Sequence, residues 1–110
     1  MYERSRNLLV CNIAGFTYYD GLDVIEHLNL GTQVNLKSEP DNPYDPNAVS
    51  IYYKDTKLGY IPKYKNEYIS NLLYFGYSSI LESRINYSNP EADTENQFRI
   101  VIKLKDSREK

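Results

Sequence analysis

The chain has 110 residues, of which 41% are hydrophobic and 25% charged, and its formal net charge is −2. This length and balance are typical of one soluble globular domain, and the charge argues against a protein that coats duplex DNA through a broad basic surface. With one cysteine and one histidine, the sequence excludes an intrachain disulfide and argues against a zinc site of the usual ligand types.

The sequence has neither a signal-peptide pattern nor an apolar run of membrane-spanning length, so we expect a cytoplasmic protein without membrane contact. Cys11 lies in an apolar run and is expected to be buried. The aromatic content is unusual, with 12 Tyr, 3 Phe and no Trp. Tyrosine has an apolar ring and a polar tip, so it suits both cores and binding faces.

The first third of the chain predicts a strand, an aromatic cluster and a short helix. Residues 8–14 form a mostly apolar strand that ends at Gly15, and residues 16–21 follow as the cluster. Four apolar residues then fall on one face at near-helical spacing, and Gly31 ends the segment: Leu22, Val24, Ile25 and Leu28. His27 on this helix is expected to be solvent-exposed or half-buried.

Residues 39–48, here called the proline loop, interrupt a pattern of strands. Residues 34–37 alternate as a strand, and the loop that follows contains Pro40, Pro43 and Pro46. Each proline fixes its own φ and removes a backbone donor, so the segment should be a rigid irregular loop. It displays Tyr44 between carboxylates and amides, which suits contact with a planar polar ligand.

The second half of the chain predicts a hairpin, a helix and two more strands. The hairpin pairs residues 48–53 with 58–62, and the helix runs from the N-cap candidate Asn66 through residue 75 to Gly76 at the left-handed C′ position. Its core stripe is Ile69, Leu72 and Leu73. Strands at 79–87 and 97–105 flank a polar, acidic loop at 89–96, and residues 106–110 form a frayed tail. The last strand places four apolar residues on one face: Phe98, Ile100, Ile102 and Leu104.

These elements amount to about six short strands and two short helices in one domain, residues 1–110, with a core from about 7 to 105. Antiparallel strands with few helices predict a mainly β fold, a small OB-like β-barrel or sandwich. Small barrels of the OB type bind single strands on an open face with aromatic stacking platforms.

The proline loop and its neighbours resemble a known family, the HIRAN domain. Residues 39–49 read Glu-Pro-Asp-Asn-Pro-Tyr-Asp-Pro-Asn-Ala-Val and residues 58–62 read Leu-Gly-Tyr-Ile-Pro, after Gly-Phe-Thr-Tyr-Tyr at 15–19. The resemblance runs from about residue 8 to the last strand. It implies a modified OB-like β-barrel with short helices, in agreement with the count of elements, and a free-standing bacterial type of member.

The resemblance also implies a function. Family members are fused to helicase-like remodelling ATPases and nucleases, and in the best understood one the domain captures the 3′-hydroxyl end of single-stranded DNA. By this resemblance Tyr18 and Tyr44 hold the terminal bases, and Asp45 accepts a hydrogen bond from the 3′-hydroxyl. The remaining implied DNA contacts are Tyr19 and Asn42 in the pocket, Tyr60, Lys63 at a phosphate, and Phe98 at a base.

Structural interpretations of the same residues stay open. Tyr18 and Tyr19 suit packing on the barrel rim, and Asp45 with Asn47 suits capping of the turn before Ala48. The acidic residues of the loop, Glu39, Asp41 and Asp45, do not have the spacing of a calcium loop. We therefore expect no metal and no cofactor.

The sequence thus predicts a single-stranded DNA-binding module that recognises free 3′ ends and is not an enzyme. It lacks a nucleophile elbow, a phosphate-cradling glycine loop and a histidine beside a Ser or Cys motif. The expected partners are 3′ ends and a helicase or nuclease acting in DNA repair or replication-fork processing. The alternative is a protein-interaction module that docks a peptide or partner on the same loop.

Overall fold

The computed structural model describes residues 7–92 and 97–105. Within them the chain forms six strands, one α-helix and four short or irregular 3-10 helices. The strands are β1 Asn7–Asn12, β2 Gln33–Ser38, β3 Val49–Tyr53, β4 Thr56–Tyr60, β5 Leu81–Ser88 and β6 Phe98–Leu104. The α-helix is α1, Glu67–Tyr74, and the 3-10 helices are Phe16–Tyr18, Asp20–His27, Lys63–Lys65 and Ser78–Ile80. The predicted tail and residues 93–96 of the predicted acidic loop lie outside the described residues.

The strands form one antiparallel sheet in the order β1-β6-β5-β2-β3-β4. β2 and β5 share only two residue pairs, the shortest pairing of neighbouring strands in the sheet. At the opposite side Ala14, just beyond β1, and Tyr60, at the end of β4, exchange two backbone hydrogen bonds of 2.8 and 2.9 Å. This bridge joins the two outer strands, so the sheet curls into a half-barrel. The prediction of a mainly β, barrel-like fold is confirmed.

The core lies inside this curl, because alternate residues of each strand point inward. Phe98, Ile100 and Ile102 of β6 are at most 2% exposed, whereas Leu104, at the end of the same predicted face, is 50% exposed. The Phe16 ring packs on Phe98 at a centroid distance of 4.8 Å. Burial of each such side chain favours folding by roughly 1.5–3 kcal/mol. Cys11 is buried and free, as predicted.

Helix α1 packs on the core through Ile69, which has no exposed surface. Its C-terminus agrees with the prediction: Gly76 has φ 89°, its N–H bonds to the Leu73 carbonyl, and the Tyr77 N–H bonds to the Leu72 carbonyl. Its N-terminus agrees in position, because Asn66 is the N-cap residue, as predicted. Asn66 nevertheless adopts helical φ and ψ, and its side chain makes no cap bond to the helix. The amide nitrogen of this side chain donates to Asp45.

The helix predicted near residues 22–28 is the 3-10 helix Asp20–His27. Its second residue, Gly21, lies so close to Phe16 that a Cβ there would overlap the ring. His27 is exposed, as expected, and its ring stacks on Tyr53 at 5.9 Å. None of the helices in the described part of the chain is long and apolar enough to cross a membrane.

Candidate nucleic-acid interface

The proline loop is closed at its base and braced from inside. Glu39 N–H bonds to the Ala48 carbonyl at 2.9 Å, which joins the two ends of the loop. Inside, the Asn42 side-chain oxygen accepts the backbone N–H groups of Tyr44 at 2.9 Å and Asp45 at 3.1 Å. The same side chain donates from Nδ2 to Glu39 Oε1 at 3.1 Å. Asn42 therefore holds the backbone that carries Tyr44, besides its predicted position in the pocket.

Tyr44 stands at the tip of this braced loop with 89% of its surface exposed. The prolines and the Asn42 bonds fix the backbone of the loop, so the loop cannot rearrange to bury the ring. The prediction that the loop displays one aromatic ring is confirmed. An exposed ring on an ordered loop is available to a planar ligand at little cost in conformational entropy.

Asp45 is half-buried and held from two sides. Its Oδ1 accepts the Asn47 N–H at 2.9 Å, so it does cap the turn before Ala48. Its Oδ2 accepts the Asn66 side-chain amide at 2.8 Å. A carboxylate offers about four lone-pair sites, so each oxygen still has the capacity to accept a further donor such as a hydroxyl.

A second carboxylate, Glu39, forms the centre of a polar network at the base of the loop. The Tyr60 hydroxyl donates to Glu39 Oε1 at 2.8 Å, and the Lys57 ammonium lies 3.2 Å from Oε2. Lys57 also donates to the Tyr60 hydroxyl oxygen at 2.6 Å, which completes a triangle. Tyr60 was expected to contact DNA, and the structure shows its hydroxyl engaged in this network.

The charges of this network are stabilised by the hydrogen bonds. Burial by itself raises the pKa of the Glu39 carboxyl, but the bonds that it accepts outweigh burial and hold its pKa below the ordinary value. Burial lowers the pKa of Lys57, and its bonds to Tyr60 and Glu39 outweigh this, so the pKa is raised. Burial also raises the pKa of Tyr60. At neutral pH the pair is therefore ionised and the tyrosine neutral.

The segment Gly15–Tyr19 joins the same network through Tyr19. The Tyr19 ring meets the Tyr60 ring edge-on at 5.6 Å, and Lys57 Nζ lies 4.7 Å from the Tyr19 centroid and 4.3 Å from that of Tyr60. Tyr19 is thus partly packed, as the rim interpretation expected. Tyr18 beside it is 85% exposed. The two predicted stacking residues, Tyr18 and Tyr44, both present open rings.

Lys63 is exposed in the 3-10 helix Lys63–Lys65 that follows Pro62. The nearby Lys65 donates to the Val10 carbonyl at 3.2 Å. Asn66, the residue that follows this helix, bonds to Asp45, so the exposed Lys63 lies three residues before a contact with the proline loop.

Phe98 does not agree with its predicted role as a base contact. It is 2% exposed, and its ring packs on Phe16 inside the barrel. A ring without open surface offers no face to a base. The alternation of β6 already placed Phe98 with Ile100 and Ile102, and that face is the core.

Three residues of the site were missed or misjudged from the sequence. Glu39 was considered only as a metal ligand, and Lys57 and Asn66 were given no part in the site. Lys57 lies 18 residues from Glu39 and Asn66 lies 21 from Asp45, so no local pattern signals either contact.

In the described part of the chain no group of three His, Cys, Asp or Glu side chains could hold a metal ion.

Taken together, the site has two open aromatic rings, a carboxylate with spare acceptor capacity and an exposed lysine on segments joined by hydrogen bonds. Such a set can stack planar groups, accept a hydroxyl proton and meet an anionic group.

The family model described as HIRAN domain matches residues 7–105 of the chain. Two solved structures are similar. A protein from Lactobacillus plantarum is 24% identical with a TM-score of 0.64, covering 91% of this chain and 97% of that one. The HIRAN domain of human HLTF is 19% identical with a TM-score of 0.63, covering 90% of this chain and 76% of that one. At these identities the likeness shows the fold. No curated protein matches the sequence.

Proposed function

The chain belongs to the HIRAN domain family, and from this premise we propose that it is a DNA-binding module that captures the free 3′-hydroxyl end of single-stranded DNA. Membership in the family supports DNA binding in general. The preference for a 3′ end rests on the arrangement around Asp45. It is a binding module without a reaction of its own, and it serves a helicase or nuclease that processes DNA ends.

The observation that carries this proposal is the fixed Asp45 carboxylate, which directly follows the exposed Tyr44 in the sequence. Asp45 is held at 2.9 Å by the Asn47 N–H and at 2.8 Å by the Asn66 amide, and its neighbour Tyr44 is 89% exposed. A base stacked on Tyr44 brings its sugar close to the carboxylate. A hydroxyl can donate to this group, whereas a continuing phosphate is repelled by its charge.

The binding energy comes from the rings more than from charge. Stacking contributes roughly 1–3 kcal/mol per base and accepts any sequence, so Tyr18 and Tyr44 can hold two terminal bases. Lys63 meets one phosphate. One such contact gives a shallow salt dependence, with a slope of about −0.7 in log–log form for a single strand. A protein of net charge −2 can therefore bind an end without a basic surface.

The test is fluorescence anisotropy with a labelled oligonucleotide that has a 3′-hydroxyl, a 3′-phosphate or no end at all in a closed circle. The variants are wild type, Tyr44→Ala, Asp45→Asn and, as a matched control, Tyr74→Ala at the far end of α1, where the ring is also exposed at 65%. We expect the wild type and the control to prefer the hydroxyl end. Tyr44→Ala should lose binding, and Asp45→Asn should bind both linear ends more equally.

Equal wild-type binding to all three oligonucleotides would leave general single-strand binding and overturn end capture. No binding by a folded wild type would overturn the DNA proposal. The same rings and loop would then be tested as a docking site for a peptide or partner chain.

A further inference from the structure

Three tyrosines are more exposed than any other large apolar side chain in residues 7–92 and 97–105. Tyr44 is 89% exposed, Tyr18 85% and Tyr64 82%, whereas Leu30 and Phe75 follow at 70%. Open rings contribute little to folding, and tyrosines are enriched at binding surfaces because the ring is apolar and its tip polar. Tyr18 and Tyr44 belong to the proposed 3′-end site. Tyr64 does not belong to that proposed site.

Tyr64 lies on a short segment that is attached to the proline loop at both ends. Four residues before it, the Tyr60 hydroxyl donates to Glu39 at 2.8 Å. Two residues after it, Asn66 donates to Asp45 at 2.8 Å. Two residues of chain span at most about 7 Å, so the backbone of Tyr64 lies close to the residue that holds the Asp45 carboxylate.

Neighbouring residues hold the backbone of Tyr64, and one of them lies near its ring. The Lys65 N–H bonds to the Pro62 carbonyl at 2.9 Å and closes the 3-10 turn. The Lys65 ammonium donates to the Val10 carbonyl at 3.2 Å and lies 5.6 Å from the Tyr64 ring centroid. The lysine thus ties the segment to strand β1. A ring on such a turn loses little conformational freedom when it binds.

We propose that Tyr64 is a third stacking platform, which takes the nucleotide on the 5′ side of the two held by Tyr18 and Tyr44. This inference rests on the proposed function. The neighbouring residue in the sequence, Lys63, is also exposed, so a phosphate can meet it while the base stacks. Because a ring accepts every base through its π-face, the added contact extends the site without adding a sequence preference.

The experiment measures the affinity for 5′-labelled oligothymidylates of two, three, four and six nucleotides, all with a free 3′-hydroxyl. The proteins are wild type, Tyr64→Ala, Tyr64→Phe and the exposed control Tyr74→Ala. In the wild type we expect the third nucleotide to tighten binding by roughly 5- to 150-fold, the range that one stacked base supplies. Tyr64→Ala should lose this gain but keep the dinucleotide affinity, and Tyr64→Phe and the control should behave as wild type.

Three results would overturn the inference and leave the proposed function standing. The first is a wild-type affinity that does not rise beyond two nucleotides. The second is a gain that survives in Tyr64→Ala, and the third is a Tyr64→Ala variant that weakens the dinucleotide as much as the longer strands. A wild type that binds none of the strands would overturn the proposed function itself, and this inference with it.

Discussion

Asn66 donates a hydrogen bond from Nδ2 to Oδ2 of Asp45 over 2.8 Å, and so joins the start of α1 to the proline loop 21 residues earlier. Asn66 is 3% exposed, and Asn66→Ala removes its buried side chain together with the donor that it supplies to the half-buried Asp45 carboxylate. We expect Asn66→Ala to reduce the free energy of unfolding by roughly 1.5–3 kcal/mol, the range for a hydrogen bond to a charged group. Urea unfolding followed by circular dichroism measures this.

The matched control is Asn71→Ala, because Asn71 is exposed on the same helix. It should change the free energy of unfolding by less than about 0.5 kcal/mol. Equal unfolding midpoints for the two variants would show that the Asn66–Asp45 bond does not stabilise the fold.

Gly59 is required by the bridge that curls the sheet. Its φ is 153°, and a Cβ there would overlap the Ala14 carbonyl oxygen and approach Ile13 Cγ2 to 2.8 Å. We expect Gly59→Ala to weaken the Ala14–Tyr60 bridge and to cost about 2 kcal/mol or more. Thermal unfolding compares the stability of this variant with that of Gly76→Ala. Gly76 also has a positive φ, 89°, but a Cβ there would meet open space. A smaller loss in Gly59→Ala than in Gly76→Ala would contradict the role of the close approach.

Glu39 should stabilise the fold more at neutral pH than at acidic pH. Its pKa is lower in the folded chain than its ordinary value, so the ionised form stabilises the fold above that ordinary value. This contribution is lost as the pH falls through the lowered pKa. We expect the difference in unfolding free energy between wild type and Glu39→Gln to be largest near pH 7 and to shrink below about pH 4.5. Urea titrations from pH 7 to pH 3 measure it.

The exposed Glu91 supplies the control, because Glu91→Gln removes the same charge without a buried network. Its effect should be small at every pH. A Glu39→Gln difference that grows on acidification would have the wrong sign and would refute the network as the source of stability.

Cys11 should be unreactive in the native protein. It is 3% exposed, and burial raises the pKa of its thiol to about 11, while Lys65 opposes the shift. Because the thiolate is the reactive form, we expect almost no reaction with a thiol reagent at pH 8 until the protein unfolds. A colorimetric thiol assay with and without denaturant measures the reactivity of Cys11. Rapid labelling of the native chain would show that Cys11 is not buried.

Substitutions of the exposed tyrosines should weaken DNA binding, whereas substitution of Tyr60 in the Glu39 network should reduce stability. Tyr18→Ala and Tyr44→Ala remove rings that are 85% and 89% exposed, so each should change the unfolding free energy by less than about 0.5 kcal/mol while weakening DNA binding. Tyr60→Phe removes the hydroxyl between Lys57 and Glu39 and should cost about 1–2 kcal/mol. Equal stability losses in all three variants would mean that the exposed rings also support the fold.

Local rules were sufficient for the proline loop and for the end of α1. Three prolines in ten residues forbid a regular ladder, and Gly76 adopts the left-handed conformation that a C′ position favours. The same rules placed Asn66 at the N-cap of α1 but did not predict its side chain, which makes no cap bond and donates to the distant Asp45 carboxylate. Phe98 was assigned to a ligand by resemblance, although its own strand alternation placed it with the core residues Ile100 and Ile102.

The sequence by itself determined the strands, the rigid loop with its displayed Tyr44, and the family, because these depend on residue order over a few neighbours. Only the tertiary structure decided which polar groups meet. The bonds of Glu39 to Lys57 and Tyr60 and the Asp45–Asn66 bond join residues 18 to 21 positions apart. The Ala14–Tyr60 bridge joins still more distant parts of the chain. Such contacts form only where the curled sheet brings its edges together, and no local pattern of residues encodes that distance.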